Sequence, residues 1–212
     1  MPELPELLLR DALASHNVLD CGIMHDDGTW RGIPHDEREA PYTLGKDGLE
    51  QNDLLVSITD EGPIRLCAYA RVGAESDVMG IGIDLASTDD WTMDVHGDRF
   101  ARLLFTDTEK ELIAAGTEPI PMLRAMAFSA KEAAFKSTAP PLRRWYEGHD
   151  EELFFEARDF ELVSWGESRG AGRRDRAAIA CGKLGITRIE VSFCTYEGMA
   201  FCVAVALGEA GA

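Results

Sequence analysis

A carboxylate ends an apolar run that has the character of a β-strand. Asp84 follows Gly80-Ile81-Gly82-Ile83, and a buried strand of this kind delivers its last side chain to the edge of a sheet. A carboxylate in that place suits a hard ion such as Mg²⁺, and the structural alternative is an Asp that caps the following turn. A dinucleotide-binding fingerprint is excluded, because Leu85 occupies a position where G-x-G-x-x-G requires glycine.

An acid and a base lie four residues apart in a predicted helix. The apolar stripe that includes Leu123 and Ala127 predicts a helix from about Pro121 to Ser137. Residues four apart share a helix face, so Glu132 and Lys136 are presented together. An isolated pair of this kind is an exposed ion pair worth about 0.2–0.5 kcal/mol, but the strand-end Asp84 earlier in the chain adds a second group for chemistry.

The two motifs together resemble the signature of the 4′-phosphopantetheinyl transferase superfamily. They are Gly82-Ile83-Asp84 and residues 128–136, Phe-Ser-Ala-Lys-Glu-Ala-Ala-Phe-Lys. On this resemblance the chain is identified as a divergent member of the two-halved Sfp/EntD type. The resemblance implies that Asp84 and Glu132 are the metal ligands and that Lys136 faces the phosphates of coenzyme A. It places Lys131 in the family's preceding basic position, which implies a contact with coenzyme A.

Further segments resemble other parts of the family pattern. Gly45-Lys46 is similar to its Gly-Lys-Pro loop, and residues 57–62 are similar to its Asn-x-Ser-His-Ser-Gly segment. The resemblance therefore implies that Lys46, Thr59 and Asp60 lie at the coenzyme A site. Residues 104–109 also resemble the Phe-Thr-x-x-Glu of the shorter, single-half members.

Three positions depart from the family pattern. Ala86 stands where the family's Gly-x-Asp-x-Glu has its second acid, two residues beyond the first and on the same side of the strand. Asp60 replaces the histidine that holds the 3′-phosphate of coenzyme A, and its charge would repel that phosphate. Asp47 replaces the Pro of Gly-Lys-Pro.

The resemblance implies a Mg²⁺-dependent enzyme that transfers 4′-phosphopantetheine from coenzyme A to a serine of an acyl or peptidyl carrier protein and releases adenosine 3′,5′-bisphosphate. Mg²⁺ needs only one or two protein carboxylates besides substrate phosphates, so Asp84 and Glu132 suffice to hold it. Glu132 takes the serine proton directly or through a water. Two alternatives stay open: a catalytically degenerate member that binds coenzyme A or a carrier protein without transfer, and an acidic α/β interaction protein whose motif match is accidental.

The family fold implies α+β structure in two similar α/β halves with the site between them. We expect an N-terminal half, residues 1–110, that carries the coenzyme A loop and the strand-end Asp, and a C-terminal half, residues 111–212, that carries the motif helix. An internal repeat agrees with this division, because setting Val56-Ser57 on Val191-Ser192 aligns Cys67 with Cys202 without a gap.

Local patterns predict the elements that position the motifs. Thr106 and Glu109 form a capping-box pattern that opens a helix, and Pro140-Pro141 is expected to stop helical structure. The other predicted elements are a helix at residues 3–15, a loop-rich stretch at 26–48, strands at 53–59, 64–72, 79–85, 186–193 and 200–207, and a strand or strand pair at 153–165.

Composition limits the partners and the compartment. The 212 residues carry 21 Lys and Arg against 38 Asp and Glu, a net charge of −17, which argues against nucleic-acid binding. The five cysteines and five histidines show neither zinc spacing nor a disulfide framework. The N-terminus is acidic, and apolar runs are too short to span a bilayer. We therefore expect a cytoplasmic monomer with no membrane contact.

Overall fold

The computed structural model describes residues 3–25, 53–92, 94–149, 153, 155–163, 168–169, 172–179 and 184–209. Within these residues the helices are α1 (Glu3–Leu13), α2 (Asp94–Leu104), α3 (Asp107–Ala115), α4 (Ile120–Ser137) and α5 (Ala139–Gly148). The strands are β1 (Val18–His25), β2 (Leu54–Glu61), β3 (Ile64–Val72), β4 (Val78–Ser87), β5 (Phe160–Leu162), β6 (Ser168–Arg169), β7 (Gly172–Ile179), β8 (Arg188–Tyr196) and β9 (Met199–Leu207). This content confirms the predicted α+β class.

Two hairpins of the chain have the same residue spacing. In the first, β2 and β3 are joined by a two-residue turn and close on the pair Glu61 and Ile64. In the second, β8 and β9 close on the pair Tyr196 and Met199, which are the positions that the internal alignment assigns to them. The predicted repeat is therefore a repeated hairpin.

The similarity of the halves extends to the turns and to a third strand. The first turn residue has a positive φ in both hairpins, 57° at Gly62 and 47° at Glu197. The strand orders correspond as well, β1-β3-β2 in one sheet and β4-β9-β8 in the other. These matches confirm two similar halves.

Strand β4 connects the first part of the chain to the C-terminal sheet. It pairs antiparallel with β9 from Val78 opposite Leu207 to Ser87 opposite Met199. This pairing places the strand-end Asp in the sheet against which α4 packs. The division of the chain at residue 110 stays a prediction.

Side-chain size separates the two faces of β4 and β9. The large side chains face a core shared with α1 and the first sheet: Ile81, Ile83, Leu85, Phe201, Val203, Val205 and Leu207. The small residues of β9 face α4: Ala200, Cys202, Ala204 and Ala206. Because the residues beneath it are small, α4 lies close to the sheet.

Helix α4 approaches β4 most closely at two glycines. A Cβ on Gly80 would overlap the carbonyl oxygen of Ser137, and one on Gly82 would overlap that of Ala133. The glycines of the strand motif are therefore needed for direct backbone contact between strand and helix. This contact brings the end of β4 under the middle of α4.

Several sequence predictions need correction. Pro140-Pro141 does not stop helical structure, because a new helix, α5, begins at Ala139 with proline in its first turn, where a missing amide hydrogen has no cost. The run 153–165 is mostly irregular where it is described, and only Phe160–Leu162 forms a strand. Strand β1, helix α2 and strand β7 were not predicted.

Other predictions are confirmed or fall outside the described residues. Helix α1, the strands β2 to β4, the motif helix and the final hairpin lie where the sequence patterns place them. The predicted loop-rich stretch, residues 26–48, lies entirely outside the described part of the chain. Among the helices that are described, none has the length and apolarity to cross a membrane.

Candidate active site

Asp84 is buried where β4 packs against β2 and α4. Its side chain is only 8% exposed. Oδ1 accepts hydrogen bonds from Nζ of Lys136 at 2.7 Å and from Oγ1 of Thr59 at 3.3 Å. Oδ2 is buried and has no hydrogen-bond partner among the described residues. A buried carboxylate oxygen without a donor is costly, so this atom is the first mark of a ligand site.

Helix α4 supplies the acid and the base of the site. Glu132 and Lys136 lie one turn apart on the face that covers the end of β4. The ammonium of Lys136 contacts the carbonyl oxygen of Ile83 at 3.3 Å in addition to Asp84. Ser129, one turn earlier, donates to the carbonyl oxygen of Asp84 at 2.9 Å. The helix therefore holds the strand-end residue by both its backbone and its side chain.

The two carboxylates influence each other through a poorly solvated environment. Burial raises the pKa of Asp84, while the ammonium of Lys136 lowers it in part. Burial also raises the pKa of Glu132, and the negative charge of Asp84 adds to that rise. Among the described residues, Lys136 is the cation that acts on both carboxylates. A divalent cation would neutralise the negative charge that remains.

The donor set fits Mg²⁺. The ion prefers carboxylate oxygens and keeps several waters, and the site offers the free Oδ2 of Asp84 beside Glu132. In the part of the chain that the structure describes, no three His, Cys, Asp or Glu side chains converge as a ready-made metal cage. The predicted two-ligand arrangement of Asp84 and Glu132 is thus compatible with the geometry.

Strand β2 runs along the free edge of β4 and positions Asp84. The backbone amides of Ile83 and Leu85 donate to the hydroxyl oxygens of Ser57 and Thr59 at 3.0 and 3.1 Å. These hydroxyls take the place of the carbonyl acceptors of a regular ladder. Thr59, predicted at the coenzyme A site, is buried and holds Asp84.

The structure does not bring Asp60 to Asp84. Asp60 is exposed at the end of β2, where alternation turns its side chain away from the side taken by Thr59. Lys46 lies outside the described residues.

Lys131 is not brought to the site. Its side chain is 3% exposed, and Nζ donates to Oε1 and Oε2 of Glu109 at 2.6 and 2.8 Å and to the carbonyl oxygen of Phe160 at 2.7 Å. All three ammonium hydrogens are therefore used. This arrangement does not fit the predicted contact of Lys131 with coenzyme A, because the residue points 100° away from Glu132 around the helix.

Glu109 has a role that the sequence only half indicated. Its capping-box bonds with Thr106 are present, as the pattern predicted. Its carboxylate also accepts from the amide of Leu162 at 2.9 Å and pairs with Lys131. Glu109 thereby connects α3, α4 and β5, and the Lys-Glu pair of the two motifs is structural.

A comparison with known families decides the relationship of the chain. The model of the 4′-phosphopantetheinyl transferase superfamily matches residues 80–188, just over half of the chain, and this segment includes most of β4 and all of α4. The chain belongs to this superfamily. The predicted resemblance is therefore confirmed at the level of the superfamily, and an accidental motif match is excluded.

Individual members of the superfamily are similar over limited lengths. A holo-[acyl-carrier-protein] synthase of Maridesulfovibrio salexigens is 42% identical over 62 residues, which are 28% of this chain and 48% of that protein. The chain thus matches about half the length of this curated relative.

Two solved structures align with the chain over nearly all of their own length. The holo-ACP-synthase of Plasmodium yoelii has a TM-score of 0.46 and 17% identity, with 62% of this chain and 95% of that chain covered. The holo-[acyl-carrier-protein] synthase of Helicobacter pylori, solved in complex with coenzyme A, has a TM-score of 0.43 and 19% identity, with 59% and 98% covered.

Proposed function

We propose that this protein transfers 4′-phosphopantetheine from coenzyme A to a serine of an acyl or peptidyl carrier protein and releases adenosine 3′,5′-bisphosphate. The observation that carries the proposal is the buried Asp84 beside Glu132. One of its oxygens is bound by Lys136, and the other has no donor in the part of the chain that the structure describes. Membership of the superfamily and the similarity to a holo-[acyl-carrier-protein] synthase support it. We propose that the chain works as two halves that meet near residue 110.

Asp84 and Glu132 would hold Mg²⁺, with Oδ2 of Asp84 as the available oxygen. When bound, the ion supplies positive charge at the pyrophosphate of coenzyme A. Lys136 keeps Oδ1 of Asp84 in place. A lysine ammonium has three hydrogens, and Asp84 and Ile83 take two, so one is left to donate to a phosphate oxygen.

Glu132 is suited to take the proton of the carrier serine. In the transfer, the serine oxygen forms a bond to the phosphorus that carries the pantetheine arm, and the pyrophosphate P–O bond breaks. The serine proton passes to Glu132 directly or through a water. A carboxylate that holds a cation has a low pKa and is a weak base, so we favour the route through a water.

The second candidate function is binding of coenzyme A or a carrier protein without transfer. Two observations favour it: Ala86 offers no acid on the metal side of β4, and Thr59 and Asp60 offer no cation for a 3′-phosphate. Both functions require the same fold, so only an assay of transfer separates them.

The deciding experiment is incubation of the protein with apo carrier proteins of several classes, coenzyme A and Mg²⁺, followed by intact mass. We expect the mass of the carrier to increase by one phosphopantetheine group. With chelator, or with the Asp84→Asn variant, we expect the carrier to keep its original mass over the same time. If every carrier stays unmodified while coenzyme A still raises the melting temperature, the binding function replaces the enzymatic one.

A further inference from the structure

The acidic groups around Asp84 exceed the available positive charge. Lys136 is the cation in contact with Asp84. Burial raises the pKa of Glu132 on α4 and of Glu61 at the end of β2, and the negative charge of Asp84 adds to both rises. Asp90, which follows β4, acts on Glu61 as well. The described residues give Glu61 no cationic partner.

Strand alternation directs Glu61 towards the site. Ser57 and Thr59 both face β4, where they accept hydrogen bonds from its backbone amides. Glu61 is the next residue on that side, about 7 Å beyond Thr59 along the strand. Its partial burial beside the exposed Asp60 agrees with this direction.

Glu61 lies near the place where the family pattern has a second acid and this chain has Ala86. Ala86 lies two residues beyond Asp84 on the face towards α4 and has no polar group. Thr59 already contacts Oδ1 of Asp84, so the residue that follows it on the same side of β2 reaches the region past Asp84. Oδ2 of the same carboxylate has no hydrogen-bond partner among the described residues and is available to a cation.

We propose that Glu61, from the neighbouring hairpin, is the third acidic group of the cation site and replaces the acid that is missing at position 86. Because no three acidic groups converge to direct-ligand distance in the described residues, Glu61 acts in the outer shell, through the waters that Mg²⁺ retains. The inference rests on the proposed function in that both place a cation at Asp84.

The test is calorimetric titration of the full chain with Mg²⁺ alone, without coenzyme A or carrier protein. We expect Glu61→Gln to weaken Mg²⁺ binding about 3- to 10-fold, which is less than the roughly 10- to 100-fold loss seen when a residue that hydrogen-bonds a metal ligand directly is removed. Asp60→Asn is the matched control: it removes the same charge from the adjacent residue on the other side of β2, and we expect a change below about twofold for such an exposed charge.

The outcomes of the titration test the role of Glu61 separately from the proposed phosphopantetheine transfer. Equal effects of Glu61→Gln and Asp60→Asn would reduce Glu61 to a general surface charge and overturn the proposal. An unchanged affinity in Asp84→Asn would remove the cation site and the proposal with it. Because the titration contains no substrate, absence of transfer activity alone would leave a Glu61 effect on Mg²⁺ binding intact.

Discussion

Lys136 binds one oxygen of Asp84 at 2.7 Å, while the other oxygen of the same carboxylate has no donor among the described residues. The ammonium thus fixes the orientation of the carboxylate without saturating it. In most buried carboxylates both oxygens are hydrogen-bonded. Burial of the unsatisfied oxygen lowers the stability of the folded protein, and a bound cation would offset this loss.

Replacement of Asp84 should separate function from stability. Asp84→Asn is expected to reduce transfer by about 10²- to 10³-fold, the range seen when a charge-stabilising group is lost. The raised pKa of Asp84 means that its contribution to stability is present below its unfolded pKa and lost as pH rises through its folded pKa. The metal-free variant should therefore melt at or above wild type at pH 7, and the difference should shrink near pH 4.

Both quantities can be measured on one preparation, transfer by intact mass and melting by calorimetry in chelator. Glu132→Gln should lose transfer in the same way. Full activity in either variant would show that these carboxylates are not the metal ligands.

The charge of Lys136 should set the pH range of cation binding. Lys136 lowers the pKa of Asp84 and of Glu132, so Lys136→Met should raise both and move the pH dependence of Mg²⁺ affinity to higher pH. Protonation competes with the cation, and binding is lost as pH falls. Lys136→Arg keeps the charge and serves as the control; identical pH profiles for the Met and Arg variants would contradict the role of the ammonium.

The pair of Lys131 and Glu109 should matter for stability and not for coenzyme A. Lys131→Met leaves the fully buried Glu109 uncompensated, which typically costs about 3–5 kcal/mol. Adding Glu109→Gln should recover part of this loss, because the amide oxygen still accepts from the backbone amide of Leu162. Urea unfolding of the two single variants and the double variant gives the coupling.

A direct contact with coenzyme A would give a different pattern. The affinity of a folded Lys131→Met protein for coenzyme A should match wild type. A large loss of affinity at unchanged stability would restore the role that the motif resemblance implied for Lys131.

The close approach of α4 to β4 should be sensitive to a single methyl group. Gly82→Ala would overlap the carbonyl oxygen of Ala133, and such overpacking costs about 1–3 kcal/mol. The shift of α4 would also displace Glu132 from Asp84 and reduce transfer. Gly148→Ala is the control, because a Cβ there meets nothing within 4 Å, and it should leave melting temperature and transfer unchanged.

The sequence indicated the site better than the surroundings. A strand end and a four-residue helix spacing each fix a direction, and these directions predict the contact between Asp84 and Lys136 that the structure shows. The place of Lys131 at the coenzyme A site was implied by the resemblance alone. Helix geometry turns its side chain by 100° from that of Glu132, and in the structure it pairs with Glu109. The same reasoning applied to β2 would have placed Ser57, Thr59 and Glu61 on one side.

Other elements escaped prediction for physical reasons. Pro140-Pro141 marks a helix start as readily as a stop, and the choice depends on whether it falls in the first turn. Strand β7, Gly172–Ile179, contains four charged residues, so its sequence has little strand character. It forms by pairing with β8 on one side and β5 on the other, which a local pattern does not show.

The missing acid at position 86 gives the last prediction. Ala86 is 4% exposed and lies two residues from Asp84 on the side of β4 that faces α4. Ala86→Glu would add a further carboxylate, directly on β4 and about 7 Å from Asp84 along the strand. We expect tighter Mg²⁺ binding, and an active enzyme should then reach half of its maximal rate at a lower Mg²⁺ concentration.

The melting temperature of the Ala86→Glu protein should show whether position 86 faces the cation, because a buried carboxylate without a cation lowers the stability of the fold. In chelator, Ala86→Glu should melt below wild type, and saturating Mg²⁺ should raise its melting temperature by more than it raises that of wild type, since ligand binding to the folded state alone stabilises it. Ala86→Gln has nearly the same size without the charge and should show the loss in chelator without the larger Mg²⁺ response. Equal Mg²⁺ responses in the Glu and Gln variants would mean that position 86 does not face the cation, and that the alignment of β4 with the superfamily's metal-binding strand is wrong.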